Sequence, residues 1–107
     1  MINFYDWAEY QSKMHSNKIA ITDFSLDKRI SYKELNLSAC KIANFLQSKG
    51  IGHSDRIAIL SKNNSIFFEL QFACSKIGSI MVPLNWRLTA NELTFILEDC
   101  EPSLLIV

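Results

Sequence analysis

Glycine is scarce in this chain, with three in 107 residues, at positions 50, 52 and 78. A phosphate cradle made of backbone amides needs glycines at fixed spacing just ahead of a helix, and none of the three stands there. No Walker loop, zinc motif or nucleophile elbow is present. Neither sign of charge is in excess, with 11 Lys and Arg against 11 Asp and Glu. Nothing therefore points to nucleic acid or to an anionic membrane surface. No apolar run approaches a membrane span, and Met1-Ile2-Asn3-Phe4-Tyr5-Asp6 lacks the basic start and apolar core of a signal peptide. Cysteine is sparse and odd in number. Cys40, Cys74 and Cys100 lie far apart, without metal-ligand spacing. Reduced thiols in a cytoplasmic protein fit that pattern. A catalytic thiol is the alternative, with His15 and His53 as its only imidazole partners and neither tied to a cysteine by spacing.

What is present is apolar. Hydrophobic residues make up 49 % of the chain, enough for one core in one small domain. Residues 4 to 15, with Phe4, Trp7, Ala8 and Met14, read as a short helix. Ile19 to Phe24 reads as a strand, Leu26 to Arg29 as a polar turn and Ile30 to Tyr32 as a second strand, together a hairpin. Ser31 and Glu34 have capping-box spacing. Leu35, Ala39, Ile42, Ala43 and Leu46 then form one helical stripe, which Gly50 stops in the left-handed conformation. Arg56 to Leu60 is apolar on both faces, as a parallel strand covered by helices should be. Asn63 or Asn64 caps a second long helix with Ile66, Phe67, Leu70, Ala73, Cys74 and Ile77 on its buried side, ended by Gly78. Ile80 to Leu84 is the next strand, with Pro83 marking its end or a bulge. Thr89 and Glu92 have the spacing of a second capping box. Leu93, Ile96, Leu97 and Cys100 continue that helix, and Leu104 to Val107 begins one more strand. Strands alternating with helices predict an α/β fold, a partial three-layer arrangement with parallel strands and covering helices, preceded by a helix and a β-hairpin.

Open parallel sheets place ligands beyond the carboxyl ends of their strands. Here those loops are Ser61-Lys62-Asn63-Asn64-Ser65 and Asn85-Trp86-Arg87-Leu88. The first leads into a helix N-terminus, which attracts anions, and Lys62 adds charge. An ordinary capped turn with a solvated lysine explains the same residues. Arg87 could grip a carboxylate or phosphate, but a salt bridge or helix-end contact accounts for it more simply. Trp86 reads as a packing anchor. Gly50-Ile51-Gly52 follows a helix instead of a strand, which excludes a dinucleotide turn. His53-Ser54-Asp55 holds three triad residue types, but sequence neighbours cannot form a triad, and they read as a turn.

Several of these segments together resemble one family. Ile30-Ser31-Tyr32-Lys33-Glu34-Leu35 resembles the first core motif of the adenylate-forming superfamily, the AMP-forming acyl-CoA synthetases with the luciferases and peptide-synthetase adenylation domains. Lys76, Gly78, Val82, Pro83 and Leu84 match the second motif, from which Ser75, Ile77, Ile80 and Met81 depart. Ser54-Asp55-Arg56-Ile57-Ala58 looks like a strand entry that the family writes with glycine in place of Ser54. The wording from Pro83 to Thr89, followed by Glu92 and Leu93, is most similar to the fatty-acid and acyl-CoA ligase branch. Peptide-synthetase domains usually have aspartate where Asn85 stands.

The resemblance implies that residues 1–107 are an N-terminal fragment of a large AMP-binding domain. The parent would be a cytoplasmic ligase that adenylates a carboxylic acid, fatty by the wording, and passes the acyl group to CoA. It would need ATP, magnesium and CoA, with no nucleic-acid partner and no transmembrane segment. The family's phosphate loop, ribose-binding aspartate, hinge and catalytic lysine have no matching position here. No catalytic, cofactor-binding or metal-binding residue is therefore expected in the chain, which should be inactive alone and could self-associate. A free-standing α/β protein-interaction module, docking through its end strand, is the alternative.

Overall fold

The computed structural model describes residues 6–61 and 64–107. Its elements are α1 (Trp7–Met14), β1 (Ile19–Asp23), β2 (Lys28–Ser31), α2 (Tyr32–Ser48), β3 (Arg56–Leu60), α3 (Ser65–Ile77), β4 (Ile80–Leu84), α4 (Ala90–Cys100) and β5 (Leu104–Ile106). The α/β expectation holds: β1 and β2 form an antiparallel hairpin, and a second sheet has the order β4-β3-β5, all parallel.

The connections explain the layers. The chain leaves β3, runs through α3 and returns as β4 on one side. It then runs through α4 and returns as β5 on the other side of β3. Right-handed crossovers in opposite directions put their helices on opposite faces of the sheet. On the first face α2 packs along α3. Leu46 of α2 and Leu70 and Cys74 of α3 close over Ile57 and Ile59, with Met81, Leu104 and Ile106 packed against them. Ala39, Ala43 and Ala73 let the two helices approach closely. Ile57, Ala58 and Ile59 are all buried, as a central parallel strand requires.

Local chemistry fixes the boundaries. Ser31 and Glu34 form a full capping box on α2. Gly50, with φ of 78°, follows its last turn, and Gly78, with φ of 75°, caps α3. Pro83 lies one residue from the end of β4, an edge strand, and the register with β3 runs through it without a bulge.

Several details differ from the sequence reading. Phe4 and Asn63 lie outside the described residues. Trp7 and Met14 of α1 are exposed and only Ala8 is buried, so the helix is too short to turn a whole apolar face inward. The hairpin turn comes early, placing Phe24 in it and Lys28 and Arg29 in β2, while Tyr32 belongs to α2. Ile66, in the first turn of α3, is exposed. The second capping box is half formed. Thr89 Oγ1 accepts from the Glu92 N–H at 3.2 Å, but the Glu92 carboxylate takes the Thr89 hydroxyl. The stripe of α4 is half-buried at best, and Phe95 is 72 % exposed.

The familiar motif residues hold corners together. Lys76 Nζ, in a side chain only 10 % exposed, donates to Asp6 Oδ2 at 2.8 Å and to Asn36 Oδ1 at 2.6 Å. Asp6 is also the N-cap of α1, its Oδ1 accepting from the Glu9 N–H. One lysine therefore joins α3 to α1 and α2. Ser54 N donates to the Gly78 carbonyl, Ile80 N to that of Asp55 and Ser79 Oγ to that of Gly52. Arg56 Nη1 donates to the Cys100 carbonyl at 2.6 Å, tying β3 to the end of α4.

Two stability measurements follow. Lys76→Met leaves a partly buried carboxylate without its cation and should lower the urea-derived stability by about 2 kcal/mol. Ser54 has φ of 66°, a left-handed backbone that glycine adopts without strain. Ser54→Gly should raise stability by about 1 kcal/mol, since the exposed bond from Ser54 Oγ to His53 Nδ1 that it removes is weak compensation.

Candidate functional site

The two loops singled out in the sequence meet at the carboxyl end of the sheet. Ser61 after β3 and Asn85 and Trp86 after β4 line one cleft of about 310 Å³, with Phe67, Pro83 and Leu84 as its apolar wall. Lys62 lies outside the described residues. Within the loop after β4, Asn85 Oδ1 accepts from the Arg87 N–H at 2.9 Å and the Asn85 carbonyl from the Leu88 N–H at 3.1 Å, a self-bonded turn. The Arg87 guanidinium stands 5.1 Å from the centre of the Trp86 ring. Trp86 is thus a half-exposed platform for a cation, where a packing anchor was expected, and Arg87 stacks on it, where a salt bridge or helix-end contact was expected.

The N-terminus of α3 is already satisfied. Asn64 Oδ1 accepts from Ile66 N at 3.0 Å, and Asp23 Oδ2 accepts from Ser65 N at 2.8 Å. An intramolecular carboxylate occupies the place where a phosphate would sit, which favours the capped-turn reading over an anion site. Asp23 was read only as the tail of a strand. It is buried, and Oδ1 also accepts from Ser25 Oγ at 2.6 Å, Ser25 N and Leu26 N. These bonds, the Ser25 hydroxyl first and the Ser65 amide next, hold its pKa down at about 2. The available signal was an acid closing an apolar strand with serine two residues on, the pattern of an Asx turn.

The remaining candidates stay apart. Cys40, Cys74 and Cys100 are free thiols on three different helices. Burial pushes the Cys74 thiol up to about 11, which keeps it protonated and unreactive. His53 Nδ1 bonds Ser54 Oγ, while Asp55 Oδ2 accepts from Gly52 N, so the two bonds face different partners and build a turn. Among the described residues no group of three or more His, Cys, Asp or Glu could hold a metal ion. The cleft has no glycine-lined amides either. These residues do not fit a nucleotide's phosphates or their magnesium. Also among the described residues, no helix is long and apolar enough to cross a membrane.

A family model described as AMP-binding enzyme matches residues 8–107. Among curated proteins, a fatty acid–[acyl-carrier-protein] ligase, ScoC, of Streptomyces coeruleorubidus is 38 % identical over 75 % of this chain and 15 % of its own. The long-chain-fatty-acid–CoA ligase FadD13 of Mycobacterium tuberculosis is 37 % identical over 81 % of this chain and 17 % of its own. The chain thus spans about a sixth of their length. Among solved structures, the inhibitor-bound N-terminal domain of FACL13 from Mycobacterium tuberculosis superposes with a TM-score of 0.90 at 32 % identity, covering 98 % of this chain and 26 % of that one.

The Asp23 carboxylate makes a pH test available. Its pKa is lowered on folding from 3.8 to about 2. The unfolded chain therefore binds this proton first as pH falls, and the stabilisation present above 3.8 is lost on acidification towards and through about 2. Urea midpoints measured from neutral pH down through this window should fall for the native chain. Asp23→Asn should be less stable at neutral pH and show a shallower decline in the same window.

Proposed function

Since the chain belongs to the AMP-binding enzyme family, we propose that residues 1–107 are the first part of the large AMP-binding domain of an ATP-dependent acyl-CoA ligase. The parent enzyme joins a carboxylic acid to ATP with release of pyrophosphate, then passes the acyl group to the CoA thiol. ATP, magnesium and CoA serve that parent, and a fatty acid is the substrate class, in keeping with the names of ScoC and FadD13. The observation that carries the reading is the superposition on the FACL13 N-terminal domain over 98 % of this chain. The free thiols are in keeping with a cytoplasmic location.

Within such an enzyme these residues supply architecture. Ser31 and Glu34 start α2, Lys76 joins three helices, Gly78 turns the chain into β4, and Arg56 holds the end of α4. Ser31, Glu34, Arg56, Lys76 and Gly78 each have a structural partner inside the chain, which supports a role in packing. The transition-state charge on the phosphates would be met by residues elsewhere in the parent.

Two measurements test this. Incubated with ATP, magnesium, CoA and a panel of fatty acids, the 107-residue chain should release no more pyrophosphate than a buffer blank, and turnover that depends on it would overturn the proposal. Reading the gene beyond Val107 should reveal a Ser/Thr/Gly-rich loop followed by lysine. A stop codon there would favour the free-standing interaction module instead.

A further inference from the structure

The outer surfaces of α2 and α4 carry one pattern in opposite signs. Along α2 and its C-cap, Lys33, Leu37, Lys41, Phe45 and Lys49 follow one another at intervals of four residues. That spacing places them on one ridge of the helix. All five are exposed, Leu37 by 51 % and Phe45 by 53 %. The single acid of this helix, Glu34, is taken up by the capping box. α4 has the reverse chemistry. Between Leu88 and Val107 there are four acids and no lysine, arginine or histidine. Phe95, 72 % exposed, has Glu92 three residues before it and Glu98 and Asp99 three and four residues after it. At those spacings the carboxylates flank the ring on the helix surface. An open hollow of about 450 Å³ beside Phe95 is lined also by Leu88 and Ile96. Among the described residues, none of these lysines or acids enters a salt bridge.

We infer that these two ridges dock on one another between copies of this chain, α2 of one copy against α4 of the next. Charge complementarity identifies the occupant. Each copy carries both halves of the pair: apolar side chains between lysines on α2, and Phe95 between carboxylates on α4. Leu37 enters the hollow beside Phe95, which brings the acids of α4 to Lys33 and Lys41. Ridges at four-residue spacing interdigitate in the commonest class of helix packing. The two helices cannot meet within one copy, because α2 covers one face of the sheet and α4 the other. The same placement makes the contact head-to-tail. A copy whose α2 ridge is engaged keeps a free α4 ridge, so assembly continues beyond the dimer. The surface is independent of the ligase assignment and stands or falls separately from it.

Sedimentation velocity from low to high micromolar concentration tests the inference. The average mass of the native chain should rise past that of a dimer, and added salt should suppress the rise. Leu37→Ser and Phe95→Ser, each at an exposed position, should keep the native far-ultraviolet circular dichroism and weaken self-association by about tenfold. Mixed in equal amounts, the two variants should pair, since the first retains its α4 ridge and the second its α2 ridge. That pair has one intact contact and should grow no further. Phe24→Ser, in the exposed hairpin turn, should assemble as the native chain does. A native chain that stays monomeric, an assembly that stops at the dimer or ignores salt, or a pair of variants that fails to combine would overturn it.

Discussion

The ammonium of Lys76 is the point on which three helices converge. A cation this deeply buried is unfavourable unless its donors are met, and here two oxygens from two other helical segments meet them. The arrangement fixes more than one bond. α1 buries only Ala8 and has little apolar area with which to hold its place. Its position depends on Asp6, which caps the helix with one oxygen and takes the lysine with the other. Asn36 brings α2 into the same network, so the interhelical packing of Ala39, Ala43 and Ala73 is set in register by polar groups at one end. Above this layer the sheet is nearly passive: β3 accepts cover from the helices and its neighbours accept pairing from β3.

The parts of the fold legible in the sequence were those encoded by neighbours. The stop of α2 at Gly50, the capping of α2 by Ser31 and the two-sided apolarity of β3 each depend on a few adjacent residues and side-chain periodicity. What escaped was set by partners far along the chain. Asp23 could not be recognised as a helix cap because its partner, Ser65, is 42 residues away. Trp7 and Met14 sit at helical spacing, yet nothing in the spacing tells that both stay exposed. The half-formed cap at Thr89 shows the same limit on a smaller scale. The residue types were right, but one hydroxyl satisfied the carboxylate that was expected to reach the backbone.

The carboxyl end of the sheet shows how a topological expectation and chemistry can part. Strand order brings Ser61, Asn85 and Trp86 to one cleft, as the rule for open parallel sheets anticipates. The polar groups around it are occupied with one another: Asn85 with its own turn, Arg87 with the Trp86 ring, and the start of α3 with Asn64 and Asp23. A sequence can mark where such loops meet. Whether their donors remain available is decided by rotamers and by distant acceptors, which local pattern does not report.

The strand order β4-β3-β5 also sets a timetable. β3 meets β4 after one helix, but its other partner is β5, and Ile57 pairs with Leu104 only after α3, β4 and α4 have intervened. Closing the longer loop costs more chain entropy and rewards it with only three paired positions. The contacts of α2, α3, β3 and β4 are the more local ones, which low loop-closure entropy favours as the earlier to form. During synthesis, β3 therefore waits as a temporary edge, with Ile57 and Ile59 sheltered by helices on one side and its outer hydrogen-bonding groups open to solvent. The central strand of these three is, for that interval, the most vulnerable one.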